Sequence, residues 1–207
     1  MEYFLKNKNS PLVLILAGVL AIAIFPPAKF MISYAGIDGS TPLAYLIIFL
    51  ITFYLFAKEE QRKTSIFLML NLIGTGILLG IVWCLIFPRI SGVVFPDTKE
   101  LHVASFFWGY LNVVVAAPLF EEKIARGIVF DGIAQKVGNL LSSLIVSFFF
   151  ALAHTNSMIW AFLISVVLCW MKCELHLNTF YRAITHGTIN AFIMTWYLTG
   201  GFWGYLL

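Results

Sequence analysis

The chain has 207 residues, of which 61% are hydrophobic and 11% are charged, and its formal net charge is +3. Soluble domains carry about 25% charged residues, whereas the mean hydropathy of this chain is +0.93. These values exclude a soluble globular protein, and the small positive charge gives no indication of nucleic-acid binding. We therefore interpret residues 1–207 as a single integral membrane domain that crosses the lipid bilayer several times as an all-α helical bundle.

The apolar segments, taken in chain order, predict about seven spans, with six to eight as the range, because a helix needs about 20 apolar residues to cross a bilayer. These spans lie near residues 11–28, 42–57, 65–88, 101–120, 139–156, 157–172 and 179–197. Pro26 and Pro27 are expected to end or kink the first span. Polar breaks lie at residues 58–63, 95–100 and 172–178. The half-apolar run 127–138 is either an interfacial helix or a continuation of the fourth span.

The stretch "EEKIARG" places ionisable residues beside an apolar run. A charge in the hydrocarbon costs about 2.5–3.5 kcal/mol, so such residues are candidates for function. On a helix, Glu122 and Arg126 are four residues apart and can form an ion pair. Glu121 is rotated by about 100° from Glu122, which leaves it available for chemistry. The alternative is a solvated helix end with an ordinary salt bridge.

Two further polar clusters follow in the second half of the chain. His154 ends the apolar run "FFFALAH", where it could equally be a capping or interfacial residue. In "YRAITHGTIN", Arg182, His186 and Asn190 are spaced by four and form one polar stripe on an otherwise apolar helix. Such a stripe faces the protein interior or water, and the alternative is a hydrogen-bonded seam between helices.

A chain reversal near Gly138 would bring these clusters together. Glu121 lies 17 residues before Gly138 and His154 lies 16 residues after it, so both reach nearly the same depth in an antiparallel helical hairpin. His186 and Asn190 can join them from the next helix. This set holds a carboxylate base, imidazoles and an amide, without a candidate Ser or Cys nucleophile among the motifs. It therefore indicates activation of water and polarisation of a carbonyl, as in peptide-bond hydrolysis, provided that the fourth helix continues through residues 127–138.

The segments "EEKIARG", "FALAH" and "HGTIN" resemble the ordered motifs EExxxR, FxxxH and HxxxN of the CPBP family. These are the CAAX-protease and bacteriocin-processing intramembrane endopeptidases, also called Abi, and the resemblance covers roughly residues 105–200. It implies that Glu121 is the general base and that His154 helps to hold the water. Glu122 would support Arg126 or the local polar network. The residues that orient the carbonyl and stabilise the oxyanion would be Arg126, His186 and Asn190.

The resemblance leaves the cofactor open, because both a metalloprotease and a metal-free glutamate mechanism are associated with the family. Zinc held by Glu121, His154 and His186 would leave an open coordination position, but the usual HExxH signature is absent from the sequence. We favour glutamate-dependent hydrolysis and keep zinc as the alternative.

The expected partner is a peptide or protein substrate, and the sequence predicts no oligomeric state. A small basic protein of this type resembles bacterial members of the family, for which bacteriocin processing or self-immunity is typical. This implies the bacterial inner membrane, and the distribution of Lys and Arg favours a cytoplasmic N-terminus. Two other functions stay open: a non-catalytic immunity or accessory protein that shares the fold, and a small transporter or channel.

Overall fold

The computed structural model describes residues 9–56, 65–91 and 103–198, and within these ranges it contains helices and no β-strand. The α-helices are α1 Pro11–Tyr34, α2 Ser40–Leu55, α3 Ile66–Ser91, α4 Val103–Leu111, α5 Ala117–Glu121, α6 Phe130–Leu152, α7 Met158–Cys173 and α8 Thr179–Leu198. Two π-helical segments, π1 Asn112–Ala116 and π2 Glu122–Val129, join α4 to α5 and α5 to α6. The all-α class is confirmed for the described chain. The polar break 172–178 joins α7 to α8, whereas the breaks at 58–63 and 95–100 lie outside the described residues.

Four helical segments are long and apolar enough to cross a membrane. They are Pro11–Tyr34, Ile66–Ile86, Phe106–Leu152 and Thr155–Cys173. Large apolar side chains on these segments face outward, as Leu20 does with 58% exposure and Ile159 does with 73%, because lipid rather than water surrounds them. A multi-pass helical membrane protein is thus supported, and the count of about seven spans stays a prediction.

The first helix does not end at its two prolines. α1 contains Pro26 and Pro27 and continues to Tyr34, so of the two predicted alternatives the helix end is wrong, and a kink stays a prediction. Each proline removes one backbone donor, but leaving the helix in lipid would expose many more unpaired backbone groups. Packing also holds this region, since the ring of Phe25 stacks on Tyr45 of α2 at 4.1 Å.

A sharp reversal divides α6 at Gly138. Gly138 has φ 79° and ψ 171°, a conformation that favours glycine. On the two sides of this break, the Arg126 guanidinium lies 4.3 Å from the ring of Phe150, whereas a straight helix would separate the two residues by about 36 Å. The predicted hairpin is therefore present, and residues 127–138 continue the helix that carries Glu121.

The other helices pack around this hairpin. α3 packs mainly against α8, and α6 packs mainly against α7. α1 and α2 contact each other, and both contact π2. As a result, the two glutamates at the end of α5 and the start of π2 lie inside the bundle rather than at its edge.

Candidate active site

Glu122 is the centre of a buried polar network. Its side chain is fully buried, and its Oε1 accepts hydrogen bonds from Arg126 Nη1 at 3.0 Å and from His186 Nδ1 at 3.1 Å. Its Oε2 accepts from Arg182 Nε at 3.3 Å. The predicted Glu122–Arg126 pair is present, and a second guanidinium from α8 completes it. One buried carboxylate is thus paired with two arginines, so its charge is compensated and hydrogen-bonded, as burial in a low-dielectric interior requires.

The two arginines extend the network to four elements of the bundle. Arg126 Nη2 donates to the hydroxyl of Ser165 on α7, and its guanidinium lies over the ring of Phe150 on α6. Arg182 donates to the carbonyl of Leu177, just before α8. The network therefore fixes the orientation of π2 relative to α6, α7 and α8.

Glu121 has a different environment from its neighbour. Its side chain is 21% exposed, and its Oε2 lies 3.8 Å from His186 Nε2, beyond hydrogen-bond distance. Within the described ranges, no side chain hydrogen-bonds to the Glu121 carboxylate, and this carboxylate borders two cavities. The helix geometry therefore divides the two glutamates as the sequence predicts, with one in the ion network and the other available to a ligand.

His154 is held by the residue one turn before it. Its Nδ1 lies 2.7 Å from the carbonyl oxygen of Phe150, and the two rings stack at 4.4 Å. Since a carbonyl can only accept, Nδ1 carries the proton, and Nε2 of the neutral ring is an acceptor. The ring of Phe150 also meets His186 edge-on at 5.9 Å. Phe150 thus contacts Arg126 and both histidines, a role that the motif spacing alone does not reveal.

Two cavities meet at Glu121. The smaller one, of about 310 Å³, is lined by Glu121, His154, Ser157, His186 and Asn190 together with apolar and aromatic residues. The larger one, of about 560 Å³, is lined almost entirely by apolar side chains of α1, α2, α5, π2 and α6. The residues common to both linings are Glu121, Phe150 and His154.

The six sequence-predicted site residues thus fall into two groups. Four of them border the smaller cavity, whereas Glu122 and Arg126 lie behind it and border neither cavity. Arg182 and Ser165 belong to the same network. The sequence places Arg182 on the polar stripe with His186 and Asn190 but assigns it no role at the site, and Ser165 was missed. Ser165 gives no such signal in an apolar helix.

Lys123, the remaining charge in "EEKIARG", points away from this site. It is 1% exposed and donates to the carbonyl of Phe56 at 2.7 Å. Phe56 is the C-terminal cap residue of α2, where a cation is favoured by the helix dipole. The Lys123 ammonium also lies 5.5 Å from the ring of Phe53. Lys123 therefore joins π2 to the end of α2.

The side chains suggested as zinc ligands do not form a metal site in this arrangement. Among the described residues, no group of three or more His, Cys, Asp or Glu side chains is placed to hold an ion. Nδ1 of His186 is hydrogen-bonded to Glu122 and Nδ1 of His154 to a backbone carbonyl, which leaves Nε2 as the atom of each ring that could bind a metal. The donor types would suit zinc, so zinc stays the alternative to the metal-free mechanism.

Comparison with known proteins gives one match. Residues 103–192 match the family described as "Type II CAAX prenyl endopeptidase Rce1-like", and this range contains all six candidate site residues. Searches of curated proteins and of solved structures found no match. The resemblance to the CPBP family is thus confirmed by a match of residues 103–192 to the Rce1-like type II CAAX prenyl endopeptidase family.

Proposed function

We propose that the protein is an intramembrane endopeptidase that uses Glu121 to activate water against a peptide bond of a membrane-associated substrate. The observation that carries this proposal is the contrast between the two glutamates. Glu122 is saturated by two arginines and a histidine, while Glu121 borders a polar cavity that it shares with both histidines and Asn190. A carboxylate held in this way can take a proton from a ligand.

Water binding follows from the acceptors at the cavity. The Glu121 carboxylate and Nε2 of His154 are both acceptors, and one water molecule has two hydrogens to give. A water that donates to both would direct its lone pair towards a carbonyl carbon in the smaller cavity. Glu121 would take one proton as the C–O bond forms, and it would return that proton to the amine nitrogen as the C–N bond breaks.

The negative charge that develops on the carbonyl oxygen would be stabilised by His186 and Asn190. Nδ1 of His186 donates to Glu122, and this bond holds the ring at the cavity, where a proton on Nε2 would make it a donor to the oxygen. The second amide hydrogen of Asn190 can donate alongside it, since Asn190 also borders the cavity. Such preorganised donors commonly give the largest share of catalysis. Arg126 would act from behind, by holding Glu122 and the ring of Phe150 in place.

The larger cavity favours a substrate with a bulky apolar group. Its lining has almost no polar surface apart from the residues at Glu121, and its volume of about 560 Å³ exceeds that of a single side chain. The matched family is described by its action on prenylated CAAX proteins, so a lipid-modified C-terminal peptide is the first substrate to test. A link to bacteriocin processing or immunity and a location in the bacterial inner membrane stay predictions from the sequence.

The test is cleavage of defined peptides by the purified protein in lipid vesicles. Prenylated CAAX peptides, their unmodified counterparts and an apolar peptide without the CAAX ending would be compared by mass spectrometry. We expect Glu121→Ala and His154→Ala to abolish turnover. The exposed Glu174→Ala, at the end of α7, should retain it and serves as the matched control. If both site variants keep wild-type turnover, the proposal is wrong. Full biological activity of Glu121→Gln would instead favour the non-catalytic immunity protein.

A further inference from the structure

We propose that Asn190 is a positioning residue, which supplies the backbone hydrogen-bond donor that Pro118 removes from the helix carrying Glu121. The bond itself is independent of the proposed function, and only its consequence for catalysis rests on that function. The role is additional to any contact of Asn190 with a substrate.

The need for an outside donor follows from the hydrogen bonds of π1. The N–H of Ala117 donates to the carbonyl of Asn112, five residues earlier. The carbonyl of Val113 therefore loses its α-helical donor, which would be Ala117. Its π-helical donor would be residue 118, but Pro118 has no N–H. Both helical donors of the Val113 carbonyl are thus missing.

The side chain of Asn190 fills this gap. Its Nδ2 donates to the Val113 carbonyl at 2.9 Å. A buried carbonyl that loses its donor costs about 1–3 kcal/mol, so the bond stabilises this part of the helix. Gly187, one turn earlier on α8, allows the approach, because a Cβ at this position would overlap the carbonyl oxygen of Val114. The motif "HGTIN" therefore seats α8 directly on π1.

This contact controls the direction in which Glu121 points. A π-helical segment contains one residue more than the α-helix it interrupts. If the Ala117 N–H returned to the Val113 carbonyl, that extra residue would be lost. Everything after it would then turn by about 100° relative to α4. Glu121 follows π1 by only five residues, so it would leave the cavity that it shares with His154. By satisfying Val113, Asn190 keeps the register in which Glu121 faces that cavity.

The test is a double-mutant cycle between Asn190→Ala and Pro118→Ala. An alanine at 118 restores a backbone N–H beside the Val113 carbonyl, so it should replace the donor that Asn190→Ala removes. In the wild-type background, we expect Asn190→Ala to lower the unfolding temperature and to reduce kcat/KM by at least about tenfold, because the buried hydrogen bond and any contact with substrate are both lost. In the Pro118→Ala background, the loss in unfolding temperature should largely disappear, and the loss in kcat/KM should shrink by about threefold or more, to the part that comes from contact with substrate.

Equal losses in the two backgrounds would overturn the proposal and leave Asn190 with a role at the oxyanion alone, because restoring a backbone donor cannot replace a contact with substrate. If Asn190→Ala does not fold, Asn190→Leu keeps a similar volume without a donor and takes its place in the cycle. If neither substitution at residue 190 folds in the Pro118→Ala background, the proposal is also overturned. Unfolding temperatures are measured without substrate. If the protein cleaves no peptide but the unfolding temperatures show that Pro118→Ala compensates for Asn190→Ala, the proposed function is wrong and this inference stands.

Discussion

Replacing each of the two adjacent glutamates by glutamine should separate stability from catalysis: Glu122→Gln should destabilise the fold, whereas Glu121→Gln should reduce turnover and leave the stability nearly unchanged. Glu122→Gln removes the negative charge that balances two buried arginines. Arg126, Arg182 and His186 all donate to this carboxylate, so the NH₂ group of the glutamine would place a donor against at least one of these donors. Removing one partner of a buried ion pair costs about 3–5 kcal/mol. We therefore expect the free energy of unfolding to fall by this amount, with loss of activity as a consequence.

Glu121→Gln is the matched control. Its side chain is 21% exposed and lies 3.8 Å from His186 without a hydrogen bond. Loss of the Glu121 carboxylate should therefore change the free energy of unfolding by only about 0.5 kcal/mol. Turnover should fall by at least about 100-fold, because the general base is lost. Chemical unfolding in detergent micelles and peptide cleavage in vesicles would measure the two effects. The reasoning is refuted if Glu122→Gln is as stable as the wild type, or if Glu121→Gln unfolds as easily as Glu122→Gln.

Three other changes test separate parts of the structure. Lys123→Met removes the donor to the Phe56 carbonyl and should lower the free energy of unfolding by about 1–3 kcal/mol; an unchanged unfolding curve would contradict this. Gly187→Ala should destabilise the fold through its overlap with Val114, whereas Gly74→Ala, whose Cβ would meet no atom within 4 Å, should not; equal stability of the two variants would count against the close packing. Exhaustive chelation should leave cleavage intact, because no three-ligand group exists among the described residues; loss of activity together with near-stoichiometric zinc would show that a metal is required.

Features that depend on helix spacing could be predicted from the sequence. The Glu122–Arg126 pair is four residues apart, so helix geometry alone brings it together. The meeting of Glu121 and His154 at one cavity follows from equal distances to Gly138, a residue suited to a reversal because it adopts positive φ. In both cases the contact depends only on the number of residues between the partners, or between each partner and one turn.

Features that depend on tertiary packing could not be predicted in this way. Arg182 reaches Glu122 across 60 residues of sequence, and Ser165 reaches Arg126 across 39. No periodicity specifies such partners. The π-helical segments were also missed, because hydrophobic patterning reports which face is apolar and not whether a helix contains one extra residue. Pro118 was the available signal for π1, since it removes a donor in the middle of an apolar span.

The charges around the cavity suggest why the network carries two arginines for one buried carboxylate. Arg126, Arg182 and Glu122 together hold one net positive charge, next to the Glu121 side chain. During the proposed attack, the negative charge would pass from Glu121 to the carbonyl oxygen of the substrate, on the other side of the same cavity. A fixed positive charge behind both positions stabilises the site before and after this transfer without reorganisation of the protein. Under the proposed function, the second arginine would thus contribute to the chemistry by supplying the positive charge that Arg126 and Glu122 alone, as a neutral pair, would lack.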